Sequence, residues 1–159
     1  MKRLLCALCS LAIFGCSGSE NENQTIDSET LRNRNLALAY IDSGMMSEAS
    51  EKLALLETSL SDEAFVYANQ GLVALRQNHL EEAELLLAKA NSLAPNDPEI
   101  ALLRGEVSML VGKFEESTQI LEEAIKAHPK HMQLRWARSE SKEHLQVIVD
   151  SFPKNIVAR

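Results

Sequence analysis

Apolar and polar residues divide the chain into three stretches. A mostly apolar run covers residues 4–14, and residues 17–25 contain no aliphatic or aromatic side chain. From about residue 28 onward, leucine and alanine recur at helical spacing between charged residues. Apolar residues three or four positions apart form one face of an α-helix, so this stretch predicts an all-α fold. The predicted helices cover residues 28–43, 47–59, 62–77, 81–93, 97–111, 115–127 and 131–151.

Within the helical stretch the pattern repeats every 34 residues. Three segments, residues 30–63, 64–97 and 98–131, align without gaps. Their eighth and twentieth places hold only small residues, and their twenty-fourth place holds only leucine. In order of place, these residues are Ala37, Gly71 and Gly105; Ala49, Ala83 and Ser117; and Leu53, Leu87 and Leu121. A fixed period of this length is typical of a helical repeat protein.

The period and its small residues resemble the tetratricopeptide repeat, in which each unit is a pair of antiparallel helices. Pro95 and Pro129 stand at the thirty-second place, and the turn residues Gly44, Asn78 and Gly112 stand at the fifteenth. The resemblance implies a right-handed α-solenoid of three helix pairs. In such a solenoid the two helices of a pair cross at the small residues, and the leucines fill the seam to the next pair.

The remaining residues, 132–159, are too few for a fourth helix pair. Residues 132–150 contain no Gly or Pro, which predicts one long helix followed by a short tail. A terminal helix of this kind caps a solenoid by covering the last apolar face. The predicted buried stripe of this cap is Leu134, Leu145, Ile148 and Phe152.

The first residues are typical of an export signal. Met1-Lys2-Arg3 is followed by eleven mostly apolar residues, which are too few to span a membrane. The signal peptide is predicted at residues 1–15, where Ile13-Phe14-Gly15-Cys16 resembles a bacterial lipobox. The resemblance implies cleavage before Cys16 and attachment of diacylglycerol and an N-acyl chain such as palmitate. The alternative is an ordinary cleaved signal with an incidental cysteine.

The residues after the signal predict an anchor and a tether. All three cysteines lie within the first sixteen residues, so the mature chain would keep Cys16 alone. The polar composition of residues 16–29 predicts a flexible tether. In lipoprotein families with outer-membrane sorting, Asp after the cysteine retains the protein in the inner membrane. Ser17 therefore favours a periplasm-facing protein of the outer membrane, in an organism that has one.

By the resemblance, the first helices of the repeats line a concave groove. Its mostly apolar residues predict an envelope protein or an amphipathic peptide as the partner. The ninth place holds Leu38, Leu72 and Glu106, whereas repeats that clamp a carboxylate carry Asn there, so a carboxylate clamp is disfavoured. Ordinary core packing and self-association remain the alternatives. The predicted groove residues are Arg34, Leu38, Ile41, Phe65, Leu72, Leu75, Arg76, Leu102, Glu106 and Met109.

Charge is distributed unevenly. The net charge of −7 disfavours nucleic acid as a partner. Residues 16–125 hold 7 basic and 20 acidic side chains, whereas residues 126–159 hold 7 basic and 3 acidic ones. The basic end predicts a surface for an acidic partner, a contact with a second copy, or a solvated helix face. Trp136, the only tryptophan, is either an anchor for a partner or packed against the third repeat.

No residue pattern supports catalysis. The sequence lacks a Gly-rich phosphate loop and a Gly-x-Ser-x-Gly motif, and no carboxylate or thiolate lies near His128-x-x-His131. We therefore expect a non-enzymatic scaffold without metal or cofactor, apart from the lipid on Cys16. Small repeat lipoproteins of this type resemble pilotin-like and pilus-assembly factors. The alternatives are an adaptor that docks cell-wall hydrolases or synthases through its basic end, and a homodimeric spacer.

Leu72→Glu should abolish partner binding if the concave groove is the binding surface, because it places a charge among apolar residues. Co-purification of the partner measures binding, and circular dichroism measures the helix content. Retention of both the fold and the partner would show that the groove assignment is wrong.

Overall fold

The computed structural model describes residues 27–151, with side chains as far as Val147. The predicted signal peptide, Cys16, the side chain of Ile148, and Phe152 with the tail lie outside this description. Within it the chain forms seven helices and no strand, which confirms the predicted all-α fold of three helix pairs and a capping helix. The helices are α1 (Ser28–Asp42), α2 (Met46–Ser59), α3 (Ala64–Arg76), α4 (Leu80–Leu93), α5 (Pro98–Leu110), α6 (Phe114–Ala127) and α7 (Met132–Ser151).

Aspartate side chains cap the N-termini of α1 and α5, the first helices of two pairs. Asp27 Oδ1 accepts hydrogen bonds from the backbone N–H groups of Glu29 and Thr30, both at 2.8 Å. The Thr30 hydroxyl donates to the other oxygen of Asp27 and lowers the pKa of that carboxyl. Asp97 caps α5 in the same way. Because Asp27 caps α1, Ser28 and Glu29 are helical rather than the end of the predicted tether.

The turn inside each pair has the same geometry in all three repeats. Gly44, Asn78 and Gly112 adopt left-handed φ values of 75°, 62° and 85°. The next residue in each turn donates its N–H to the carbonyl five residues back, at 2.7–2.9 Å. This bond pairs a carbonyl that the end of the first helix would leave free. The turn chemistry at the fifteenth place was therefore correctly predicted.

The two helices of a pair touch at the eighth place. A Cβ atom on Gly71 would lie 2.7 Å from Cγ of Leu87, and one on Gly105 would lie 2.9 Å from Cδ2 of Leu121. Ser117 Oγ, at the twentieth place, donates to the carbonyl of Gly105 at 2.9 Å. The small residues thus let the helices approach, as the sequence predicted, and the leucine at the twenty-fourth place fills the space above them.

The same leucines also join each pair to the next. Leu53 clusters with Val66 and Val73 of α3, and Leu87 clusters with Val107 of α5. Leu121 clusters with Leu134 and Ala137 of α7 in the same way. The three leucines are fully buried. The predicted seams between successive pairs are therefore present along the whole array.

Helix α7 packs on α5 and α6 through a narrow face. Leu134 is fully buried, as predicted, whereas Leu145 is only half-buried. Ser141 takes part in this face, which the sequence did not indicate. Its hydroxyl donates to the carbonyl of Phe114 at 3.0 Å and lies 3.1 Å from the hydroxyl of Thr118. These bonds satisfy a buried polar group and hold α7 against the start of α6.

The outer face of α7 is polar. In the 34-residue register, Arg135, Ser139 and Lys142 occupy the places that buried residues, among them Gly71 and Ala74, occupy in α3. In α3 that face is covered by α4, whereas no described helix follows α7. The three residues are exposed. Helix α7 thus resembles the first helix of a fourth unit with a polar outer face. A polar outer face on a capping element keeps a repeat array soluble.

Gly71→Val should lower the free energy of unfolding by about 1–3 kcal/mol, because the added methyls collide with buried Leu87. Helix propensity alone would favour valine over glycine, so the loss isolates the packing effect. Urea unfolding followed by circular dichroism measures it. The matched control is Ala54→Val on an exposed face of α2, with an expected loss below about 0.7 kcal/mol. Equal losses in the two variants would contradict the packing account.

Candidate functional site

A groove of about 550 Å³ lies between α5 and α7 and is bordered by the start of α6. Its volume falls within the range of pockets that hold a small ligand or several side chains. Most of its surface is apolar, with carboxylates and one histidine among the lining groups. The lining residues are Leu102, Glu106, Met109, Leu110, Phe114, Gln133, Trp136, Ala137, Glu140 and His144.

Helical spacing places these side chains on two facing rows. Leu102, Glu106 and Met109 are four and three residues apart, so they share one face of α5. On α7, Trp136 and Glu140 are also four residues apart. Each row keeps the 34-residue register. The fifth places hold Leu102 and Trp136, and the ninth places hold Glu106 and Glu140.

Large apolar side chains in the groove are open to water. Trp136 is 68% exposed and Leu110 is 58% exposed. Of the two interpretations of Trp136, packing against the third repeat is therefore wrong, because most of the indole is accessible. An exposed tryptophan and an exposed leucine that line one groove are typical of interaction sites. Phe114 is half-buried and stacks on His144, with the two ring centroids 5.5 Å apart.

Two carboxylates give the groove a negative rim. Glu106 is exposed and Glu140 is half-buried, and neither forms an ion pair within the described part of the chain. No lysine or arginine lines the groove. Its local charge is therefore negative.

The structure places the predicted groove residues in different parts of the array. Leu102, Glu106 and Met109 come together at the α5–α7 groove. Arg34 lies over the ring of Phe65, with its guanidinium carbon 4.3 Å from the ring centroid, a cation–π contact between α1 and α3.

The other predicted groove residues differ in burial. Leu38 and Arg76 are exposed, while Ile41 and Leu72 are half-buried. Leu75 is only 7% exposed and belongs to the core cluster of α3, α4 and α5, so its side chain offers no contact surface.

Residues of α7 complete the groove, and the sequence analysis did not include them in it. Trp136, Glu140 and His144 stand at the fifth, ninth and thirteenth places counted from Met132. Extending the 34-residue register into α7 would have predicted all three. The register is hard to recognise there because residues 132–159 are too few for a fourth helix pair.

The basic end of the chain is partly engaged in structure. Lys142 Nζ lies 2.6 Å from Glu122 Oε1, and this hydrogen bond lowers the pKa of the Glu122 carboxyl. His128 Nε2 lies 2.6 Å from the carbonyl oxygen of Asn96, so that nitrogen is the donor. His128 and Lys142 thus link the basic end to neighbouring parts of the array, whereas Lys126, Lys130 and Arg135 are exposed.

Two further observations concern residues 27–151. No helix there is both long enough and apolar enough to cross a membrane. No three histidine, cysteine, aspartate or glutamate side chains in the same part are grouped to hold a metal ion.

Part of the chain matches a known family of helical repeats. Residues 74–142 match the model of the tetratricopeptide repeat family. No curated protein sequence matches the chain.

Three solved structures are similar to the chain. The second tetratricopeptide repeat domain of human RPAP3, in complex with the HSP70 peptide SGPTIEEVD, is 21% identical, with a TM-score of 0.66 over 72% of this chain and 95% of that chain. The TPR2B domain of yeast Sti1, in complex with pHsp70, is 12% identical, with a TM-score of 0.69 over 74% of this chain and 98% of that chain. The tetratricopeptide repeat domain of Sgt2 from Aspergillus fumigatus is 12% identical, with a TM-score of 0.74 over 80% of this chain and 86% of that chain.

At these identities the similarity establishes the fold. Tetratricopeptide repeat domains generally mediate protein–protein interaction and are typically not catalytic. The sequence match and the similar structures together show that the described residues form an all-α helical repeat with the fold of a tetratricopeptide repeat domain.

Proposed function

We propose that the protein is a non-enzymatic, lipid-anchored scaffold that binds a segment of another envelope protein and assists its assembly. The observation that carries this proposal is the open apolar groove between α5 and α7, where Trp136 and Leu110 face water. Exposed aromatic and aliphatic side chains in a concave site are typical anchors for a partner. The peptide-bound domains of RPAP3 and Sti1 support a peptide segment as the ligand class.

The anchoring part of the proposal rests on the sequence. The lipobox-like residues before Cys16 would place the chain on a membrane, and Ser17 favours the periplasmic side of the outer membrane. Three acyl chains are enough for stable attachment, whereas one is not. The polar tether would let the helical array turn while staying near the lipid surface. Pilus or secretion-system biogenesis is the pathway in which such a scaffold would act.

A second candidate is an adaptor that docks cell-wall hydrolases or synthases. The exposed cations on the outer face of α7, such as Arg135, support this alternative. Binding through that face would be polar and would weaken at high salt, whereas apolar capture in the groove would persist. A homodimeric spacer is the third candidate, and it predicts a mass that depends on protein concentration.

A photo-reactive residue at Leu110 should cross-link to an envelope protein in native membranes, because this position lies in the groove and is exposed. The matched control is Leu55 on α2, which is 49% exposed and does not line the groove. Mass spectrometry identifies the products. Cross-links to a secretin or pilus component from Leu110 alone would support the scaffold. Equal yields at Leu110 and Leu55, or products only from a third photo-reactive residue placed at exposed Arg135, would overturn it.

Cys16→Ser should remove the acyl groups from the chain and block cleavage after Gly15, because the lipidated cysteine defines that processing step. Mass spectrometry of the N-terminal peptide measures both changes. Cys9→Ser, within the predicted signal, is the control and should leave processing intact. A natural chain that begins at Cys16 without acyl mass would contradict lipid anchoring and support an ordinary secretory signal.

A further inference from the structure

Two apolar side chains of α5, one before and one after Glu106, form the apolar floor of the α5–α7 groove. Leu102 and Met109 are seven residues apart, which corresponds to about 10.5 Å along α5. A bound helix that uses apolar residues at positions i and i+7 presents them at the same separation. Trp136 and Ala137 form the opposite wall. The dimensions of the floor therefore fit one face of an amphipathic helix.

The rim of the same groove is acidic. Glu106 on α5 and Glu140 on α7 stand at equivalent ninth places, and no cation in the described residues pairs with either. A carboxylate that borders an apolar site attracts lysine or arginine of a ligand and repels aspartate or glutamate. The peptide bound by RPAP3 ends in Glu-Glu-Val-Asp, which has the opposite charge.

We infer that the groove between α5 and α7 binds an amphipathic helix whose apolar face is flanked by lysine or arginine, and that it rejects acidic peptides. This inference rests on the proposed function and adds the chemistry of the partner. The apolar side chains enter between Leu102, Met109 and Trp136. The basic side chains meet Glu106 and Glu140 at the rim, where partly exposed ion pairs add selectivity rather than most of the affinity.

Trp136 is the only tryptophan in the chain, so its fluorescence reports on the groove directly. The full chain is titrated with three tryptophan-free helical peptides. The first has leucines at positions i, i+3 and i+7 with flanking lysines. The second replaces those lysines with glutamate, and the third keeps the lysines but replaces the leucines with glutamine.

The lysine–leucine peptide should shift the Trp136 emission to shorter wavelength and bind about three- to tenfold more tightly than the glutamate peptide, the range expected for two partly exposed ion pairs. The glutamine peptide should not shift the emission, because it lacks apolar anchors. The double variant Glu106→Gln and Glu140→Gln should bring the lysine and glutamate peptides to within about twofold of each other.

A charge-matched control separates the rim from the overall negative charge of the protein. Glu115→Gln combined with Glu143→Gln removes two exposed carboxylates that do not line the groove. This control should keep the preference for lysine. Loss of the preference in both double variants would attribute it to long-range charge and overturn the inference.

The remaining outcomes distinguish this inference from the proposed function. Equal affinity of the natural chain for the lysine and glutamate peptides overturns the basic-partner inference and leaves peptide binding intact. Failure of every peptide to bind overturns both. A Trp136 shift that depends on protein concentration alone would make a second copy the occupant and would also overturn the inference.

Discussion

The close approach of two helices at the eighth place of each repeat is the contact on which the rest of the structure depends. Gly71 and Gly105 leave space that a leucine of the partner helix fills, to within 3 Å of where a Cβ would stand. The same leucines, at the twenty-fourth place, touch the next first helix. Each pair therefore orients the pair that follows, and the orientation passes along the array to α7.

The groove follows from this stacking. Successive first helices repeat the same register, so residues at equivalent places on α5 and α7 face each other across a gap. Stacking determines where the groove lies, but the residues at the fifth and ninth places determine what it can hold. Here those places carry Leu102 with Trp136 and Glu106 with Glu140, an apolar floor with an acidic rim. The fold shared with the peptide-bound domains therefore does not by itself determine the charge of the groove.

Helix α7 combines two roles on different faces. Leu134 and Ala137 close the apolar end of the array, and the hydroxyl of Ser141 satisfies carbonyl and hydroxyl groups of α6. Trp136, between those residues in sequence, projects into the groove. The outer face holds exposed cations because no described helix covers it. The apolar end of the described array and the α5–α7 groove therefore both depend on this helix.

The sequence alone determined the elements whose causes are local. Helical periodicity, the left-handed turn at Gly44, Asn78 and Gly112, and the small residues at the crossings each depend on neighbours within a few residues or on a repeated spacing. Only the tertiary structure decided which residues of the first helices face water. Leu75 and Met109 share the twelfth place, yet Leu75 is buried in the core and Met109 lines the groove. The two residues share one place in the repeat, so the difference depends on the surrounding helices: Leu75 packs with Leu87 of α4 and Val107 of α5.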